Sequence, residues 1–333
     1  MRVALLLLGY AAVLAVLGPV LLARTDWAAR APKLAIWAWQ ALTATVIVSV
    51  VLAGLALAVP TVPVSANLAA MLQACVMALR AQYAAPGGAA AAASGTVLAL
   101  VVVARVGWCL AAALWQARRE RDQHAAVLRM VGRTRADLGV TVLDDDRPAV
   151  YCLPGYGHRI VLTSAALAAL RPRELEAVIA HEQAHIRQRH HLILAWAEAL
   201  ERAFPRLPLF RTAAQETRRL VELAADDAAT TRTDTMTLAG ALVELAGAGT
   251  PAASLAASGG HVAGRVRRLL APQRPLRRAV AWGGALAAGA LLALPFVLAA
   301  QPAVAATGMT TCPLPDAPVT AVQDAPVTPV QTV

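Results

Sequence analysis

The residues His181, Glu182 and His185 have the types and the spacing of a zinc hydrolase centre, H-E-x-x-H. On a helix, two histidines four residues apart lie on the same face and can bind one metal ion. Glu182 lies beside them, where it can take a proton from a metal-bound water molecule. Zinc lowers the pKa of that water to about 7, so hydroxide becomes available at neutral pH. The pattern therefore predicts a zinc-dependent hydrolase.

A long amphipathic helix is expected to carry this motif. Pro172 is suited to a first helical turn, and the helical pattern continues towards Leu200. The apolar face of this helix consists of Leu175, Val178, Ile179 and Ile186. The motif therefore lies in the context that its chemistry requires.

A catalytic zinc site has three protein ligands and an open position for water, so one ligand remains to be found. His191 follows His181 by ten residues, which is the spacing of the metzincin pattern H-E-x-x-H-x-x-G-x-x-H. That pattern needs a glycine at position 188 to turn the chain back, and this chain has Gln188. In an unbroken helix, His191 lies about 9 Å along the axis and about 120° around it from His185. We therefore expect neither His191 nor His190, which points still further round, to bind the metal.

Glu222 is the better candidate for the third ligand. It lies one turn before Asp226 on a later predicted helix, at about 212–230, which would pack antiparallel to the motif helix. An isolated acidic pair on a helix is more often a solvated face, but the upstream motif supplies two ligands and lacks a third. Glu182 is then the general base, and Asp226 accepts a hydrogen bond that orients a ligand histidine. The predicted zinc ligands are His181, His185 and Glu222.

The composition indicates an integral membrane protein that carries one modest soluble domain. Of its 333 residues, 58% are hydrophobic, and the net charge is +10. Crossing a bilayer takes about 20 apolar residues. Four segments meet this requirement, at 3–23, 34–59, 96–115 and 279–300. The four cysteines form no C-x-x-C pair, so we interpret them as free thiols.

The basic residues flank these four segments unevenly, which predicts the orientation of the chain. They follow the first and third segments and precede the fourth, whereas the tail contains none. We therefore expect the N-terminus, the loop at 60–95 and the tail outside, and residues 117–278 in the cytoplasm. Removal of the first segment as a signal peptide would place the arginine-rich domain outside, so we reject that alternative. The abundance of alanine and arginine, with Lys33 as the only lysine, is typical of a bacterial protein, here of the plasma membrane.

This orientation divides the sequence into four parts. Residues 1–116 hold three transmembrane helices and the outer loop, in which 66–84 predicts a helix at the membrane surface. The cytoplasmic zinc metallopeptidase domain follows at 117–278, and the fourth transmembrane helix lies at 279–300. The tail at 301–333 contains a proline-rich duplication and is expected to be disordered.

Within the cytoplasmic part, the sequence predicts an α+β core. A basic helix at 118–131 precedes strand patterns at 140–143, 150–153 and 160–163, the last two joined by a turn at 154–158. Thr163 or Ser164 can cap a short helix after them. We expect a small antiparallel sheet beside a pair of antiparallel helices. An extended substrate is expected to add to the edge formed by the strand at 160–163.

The segments 159–163, 175–186 and 222–226 together resemble the integral membrane gluzincins. Two groups share this pattern. HtpX-type quality-control proteases usually have two spans before the motif, whereas BlaR/MecR-type antirepressor peptidases have three spans before a cytoplasmic zinc domain and one after it. This chain, with three and one, is closer to the BlaR/MecR type. We expect it to lack the outer penicillin-binding sensor domain, which carries an S-x-x-K nucleophile, because its tail is short and its only lysine is Lys33.

The resemblance implies a membrane-embedded, Zn²⁺-dependent metalloendopeptidase with a regulatory role. Its substrate would be a cytoplasmic winged-helix repressor of the BlaI type, and self-cleavage is left open. One alternative is an HtpX-like quality-control protease, and another is a non-catalytic membrane receptor or scaffold with a structural zinc site. Glu182 disfavours the second alternative, because a structural site needs no general base. The expected partners are the protein substrate and membrane lipid, a homodimer is left open, and direct nucleic-acid binding is not expected, because the arginines concentrate at membrane flanks.

Overall fold

The computed structural model of the protein describes residues 1–23, 27–58, 73, 76–77, 80, 83–153, 159–248, 255–271 and 276–307. Over these residues the chain is mostly helical and contains a four-stranded sheet. The predicted surface helix at 66–84 lies largely outside the described residues, and the turn at 154–158 lies wholly outside them. Of the tail expected to be disordered, residues 301–307 instead continue the last helix, since this stretch is rich in alanine. The remainder of the tail lies outside the described residues.

Within the described residues, four helices are long and apolar enough to cross a membrane, as the sequence predicts. They are α1 (Arg2–Ala23), α3 (Pro32–Ala58), α4 (Gly88–Val131) and α11 (Arg278–Thr307), and the short α2 (Trp27–Arg30) connects the first two. The apolar part of α11 is Ala279–Ala300. The described part of the chain is therefore that of a multi-pass membrane protein.

Helix α4 joins two elements that the sequence treats separately, the span at 96–115 and the basic helix at 118–131. Neither glycine nor proline interrupts the chain between Trp108 and Val131, so the helix continues from apolar to charged sequence. It ends at Gly132, whose backbone N–H donates to the carbonyl of Leu128 at 2.9 Å. Its 44 residues span about 66 Å, roughly twice the thickness of a bilayer core. One end of α4 therefore extends well beyond the membrane.

The sheet follows α4 directly and is mixed, not antiparallel as expected. Its strands are β1 (Arg133–Arg135), β2 (Val140–Leu143), β3 (Val150–Leu153) and β4 (Arg159–Thr163), in the order β1-β2-β4-β3. Strand β4 is antiparallel to β3 but parallel to β2. After β2, the chain forms the edge strand β3 first, and it then returns to place β4 between β2 and β3. Strand positions follow from local patterns, whereas this pairing does not.

Strand β4 is consequently an interior strand of the sheet, so the expectation that a substrate adds along 160–163 is wrong. Val161 and Leu162 are completely buried, and Ile160 and Thr163 nearly so. An uninterrupted buried run is typical of a central strand, whereas an edge strand usually alternates. The edge on this side of the sheet is β3, and no described strand pairs with its outer side.

Between the sheet and α11, the described helices are α5 (Ser164–Ala169), α6 (Pro172–Arg187), α7 (His190–Ala203), α8 (Pro208–Ala229), α9 (Thr235–Ala248) and α10 (Leu255–Leu270). Thr163 caps α5 by accepting a hydrogen bond from the backbone N–H of Ala166 at 3.2 Å. Helix α6 carries the histidine motif, and α8 carries the acidic pair.

The motif helix is shorter than predicted, because the chain leaves it at Gln188. Arg189 adopts a left-handed backbone conformation with φ of 52° before α7 begins. Positive φ is uncommon for a residue other than glycine, and no glycine or proline marks the break. The expectation of an unbroken helix towards Leu200 is therefore wrong, and the residues after Arg189 change direction.

The helices of the motif region share one apolar core with the membrane spans. Within this core, Ala11, Trp39 and Val106 of three spans cluster with Leu200 of α7 and Phe210 of α8. Polar contacts support the same packing, since Gln40 Nε2 of α3 donates to Thr217 Oγ1 of α8 at 3.4 Å. The ligand-bearing helix α8 therefore lies directly against a spanning helix.

Arg105 lies within the third predicted span, where a charge facing lipid is costly. From the sequence we expect it to face protein or water. Its Nε donates to the carbonyl oxygen of Ala203 at 2.5 Å. Ala203 is the last residue of α7, where backbone carbonyls lack a helical partner and a positive charge is favourable. Arg105 therefore ties α4 to the end of α7.

Replacement of Arg105 by methionine should destabilise the protein by about 1.5–3 kcal/mol, the usual contribution of a hydrogen bond to a charged group. The measurement is the thermal unfolding of the detergent-solubilised full chain. Arg118→Met, at an exposed position on the same helix, is the matched control. Equal melting temperatures for both variants and wild type would show that the contact with Ala203 contributes nothing.

Candidate metal centre

Helix α6 is held in place by its apolar face. Leu175, Val178 and Ile179 pack against Val140 and Ile160 of the sheet. This packing directs the opposite face, with the two motif histidines, towards α8. The backbone N–H of Arg171 donates to Glu174 at 2.9 Å, which caps the start of the helix.

The structure brings together His181, His185 and Glu222, whose ligand atoms all lie within 4.8 Å of one another. The Nε2 atoms of the two histidines are 3.1 Å apart. Nε2 of His181 lies 3.6 Å from Oε2 of Glu222, and Nε2 of His185 lies 3.6 Å from Oε1 of the same carboxylate. A tetrahedral zinc ion with bonds of about 2.0–2.1 Å needs donors about 3.3 Å apart, so this donor set fits zinc. Among the described residues, His191 is not part of such a group.

The three side chains enclose the site unevenly. The side chain of His181 is 7% exposed and that of His185 is 15% exposed, whereas Glu222 is 39% exposed. The site is therefore open on the side of Glu222. An open position is what distinguishes catalytic zinc sites from structural ones.

Asp226 lies where it can orient His181. Its Oδ1 is 3.1 Å from His181 Nδ1, and its side chain is completely buried. Burial raises the pKa of Asp226, but hydrogen bonds with Arg265 and His181 outweigh it and lower that pKa to about 2. A carboxylate that is ionised at pH 7 and lies at Nδ1 directs Nε2 of His181 towards the metal position, where Nη2 of Arg265 lies 3.4 Å from it.

His190 is not one of the grouped donors, as expected, but it contacts His185 as Asp226 contacts His181. The two Nδ1 atoms are 3.0 Å apart, and His190 is 2% exposed. The sequence argument against His190 assumes an unbroken helix, and the turn at Arg189 brings the ring back instead. Burial lowers the pKa of both histidines to about 4, so both rings are neutral at pH 7. Because a metal at Nε2 requires the ring hydrogen on Nδ1, His185 donates and His190 accepts.

Glu182 lies beside the edge strand β3. Burial is the main reason that its pKa is raised, as expected for a residue that accepts and returns a proton. The thiol of Cys152 on β3 lies close enough to this carboxylate to lower its pKa. Burial, together with the charge of Glu182, raises the pKa of Cys152 to about 12, so the thiol stays protonated. No sequence pattern connects Cys152 with the motif.

Zinc affinity should rise with pH up to about 9. Burial lowers the pKa of His181, but hydrogen bonds with Asp226 and Glu222 outweigh it and raise the pKa to about 9. Metal binding must displace that proton, so the Kd for zinc should fall about tenfold per pH unit below this value. Chelator-competition titrations at several pH values measure the slope. Asp226→Asn removes the contact that raises the pKa and should flatten the slope.

The same shift has a consequence for the metal-free protein. The pKa of His181 is raised above its ordinary value of 6.5 to about 9. The contact between His181 and Asp226 therefore stabilises the fold fully below pH 6.5 and loses its effect as the pH rises through 9. If the free energy of unfolding of metal-free Asp226→Asn depended on pH as strongly as that of wild type, this account would be contradicted.

His190→Ala should weaken zinc binding by about 10- to 100-fold, the usual effect of removing a residue that orients a ligand. His191→Ala is the control, because its ring is not part of the grouped donors. Zinc affinity is measured on both full-length variants. Equal losses in the two variants would mean that the contact between His190 and His185 has no special role.

Comparison with known proteins agrees with this geometry. Residues 115–204 match the model of peptidase family M48. The match runs from the charged half of α4 through the sheet and the motif helix to the end of α7, and it does not include Glu222 or Asp226. No curated protein and no solved structure matches the chain. The similarity indicates a membrane-associated metalloprotease of a generally zinc-dependent kind.

Proposed function

We propose that this protein is a membrane-embedded zinc endopeptidase that cleaves a cytoplasmic protein. The observation that carries the proposal is the convergence of His181, His185 and Glu222 at ligand distance beside Glu182. The match to peptidase family M48 supports the same chemistry. The open side of the group suits a protein substrate better than a structural metal, and β3 offers an edge with which no described strand pairs.

His181, His185 and Glu222 would hold the zinc ion. Bound there, zinc supplies the Lewis acidity that activates water and polarises a peptide carbonyl. Glu182 accepts the proton of the attacking water and returns it to the leaving amine, a task suited to its raised pKa. Asp226 and His190 keep the two ligand rings in the orientation that metal binding requires.

An extended substrate would bind along β3 in place of the strand at 160–163. Strand addition uses the unpaired N–H and C=O groups of an edge, and β3 has such an edge within the described part of the sheet. Its residue Cys152 lies close enough to Glu182 to affect the pKa of that carboxylate, so a peptide along β3 would pass near the general base. The backbone of the substrate would then be held next to the metal ligands.

The orientation that we propose follows from the basic flanks of the spans. Residues 117–278 lie in the cytoplasm, between the third and fourth spans, and the N-terminus and the tail lie outside. The substrate would be a winged-helix repressor of the BlaI type, as the resemblance to antirepressor peptidases implies, with signal transduction as the biological role. Membrane quality control is the alternative role that the same zinc chemistry would serve.

Glu182→Gln should retain zinc and lose proteolysis by about 100- to 10,000-fold, the usual contribution of a general base. Wild type and variant are co-expressed with candidate winged-helix repressors, and cleaved fragments are identified by mass spectrometry. Glu176→Gln is the matched control, because Glu176 is an exposed glutamate on the same helix. Zinc content is measured on all three purified proteins.

The outcomes separate the candidate functions. Cleavage of one repressor by wild type and Glu176→Gln, but not by Glu182→Gln, supports the antirepressor peptidase. Intact repressors with degradation of many unfolded membrane proteins would indicate quality control. Undiminished cleavage by Glu182→Gln would contradict the assignment of the base, and bound zinc without any cleavage would indicate a structural site.

A further inference from the structure

Arg265 of α10 reaches the candidate metal centre from an element that the motif does not include. Its Nε and Nη2 donate to the two carboxylate oxygens of Asp226, at 2.9 and 2.5 Å. Its Nη1 lies 3.0 Å from Oε2 of Glu222. A planar guanidinium donates in fixed directions, so one side chain fixes two carboxylates on successive turns of α8.

Glu222 needs such support more than the other candidate ligands. Its side chain is 39% exposed, so packing alone does not select one rotamer. The side chain of Arg265 is 14% exposed, and that of Asp226 is completely buried. The buried ion pair with Asp226 therefore holds Arg265 in place, and Arg265 in turn binds the more exposed Glu222.

A second arginine fixes the helix that presents Arg265. Arg268 lies one turn later on α10, and its Nη2 donates to Oδ1 of Asp227 at 2.6 Å. Its Nε donates to the carbonyl of Ala29 on α2 at 2.8 Å. Helix α10 is thus bound to α8 at adjacent acidic residues and to the connection between the first two spans. Arg265 therefore approaches Glu222 from a fixed position.

We propose that Arg265 is a positioning residue, which holds Glu222 in the rotamer in which its carboxylate faces His181 and His185. The proposal rests on the proposed zinc peptidase function. In that function, Arg265 would orient the third ligand for metal binding. Outer residues that orient metal ligands contribute about 10- to 100-fold in affinity.

The charge of Arg265 has the opposite effect, because a guanidinium repels a divalent cation. Glu222 and Asp226 contact the guanidinium, and their negative charges offset much of this repulsion at the metal position. Orientation is therefore the larger effect, and loss of the guanidinium weakens zinc binding.

The test uses the full-length, metal-free protein in detergent, titrated with Zn²⁺ against a chelator and separately with Co²⁺. Arg265→Lys keeps the charge but loses the planar set of N–H donors of the guanidinium, and Arg265→Met loses both. Arg267→Met is the matched control, because Arg267 is an exposed arginine on the same helix. Both Arg265 variants should raise the Kd for zinc by about 10- to 100-fold and change the visible Co²⁺ spectrum, which reports ligand geometry. Arg267→Met should behave as wild type.

A second background separates positioning from general support of the fold. In Glu222→Ala, the residue that Arg265 positions is gone, so Arg265→Lys should cause little further loss of affinity. Equal losses in both backgrounds would overturn the proposal, as would unchanged or tighter zinc binding by Arg265→Lys. Thermal unfolding of each metal-free variant confirms that it is folded. A wild-type protein that binds no zinc would instead contradict the proposed function itself.

Discussion

The packing of α8 along the membrane helix α3 determines where the acidic residues of the candidate site lie. One face of α8 contributes Phe210, Leu220 and Val221 to the core shared with the spans. The face that carries Glu222 and Asp226 points towards α6. Because a helix repeats about every 3.6 residues, fixing the first face fixes the direction of the second. The metal centre is therefore assembled on the membrane bundle itself.

The sequence predicts what local periodicity encodes. Two histidines one turn apart, two acids one turn apart and four apolar runs all leave a signal in the chain, and the structure contains each of them where expected. The pairing of β4 between β2 and β3 leaves no such signal, because the sequence pattern of a strand does not determine which strands pair with it. The uninterrupted apolar run of β4 was nevertheless a sign of an interior strand.

Two residues near the candidate ligands could not be found from the sequence, for different physical reasons. His190 depends on the left-handed conformation of Arg189, which no glycine or proline announces. Arg265 is one of six arginines before the fourth span, and membrane flanks explain all six equally well. Arg265 differs from the other described ones by its contact with Asp226, which lies 39 positions earlier in the chain. Only tertiary structure distinguishes it.

Helix α4 has a mechanical consequence. It passes without interruption from the apolar sequence near Gly88 to Gly132, where β1 begins one residue later. The helix therefore connects the apolar sequence directly to the sheet. A tilt of about 5° over a helix of about 66 Å displaces one end relative to the other by about 6 Å. A change in the tilt of α4 would therefore move the first strand of the sheet that lies beneath the histidine helix.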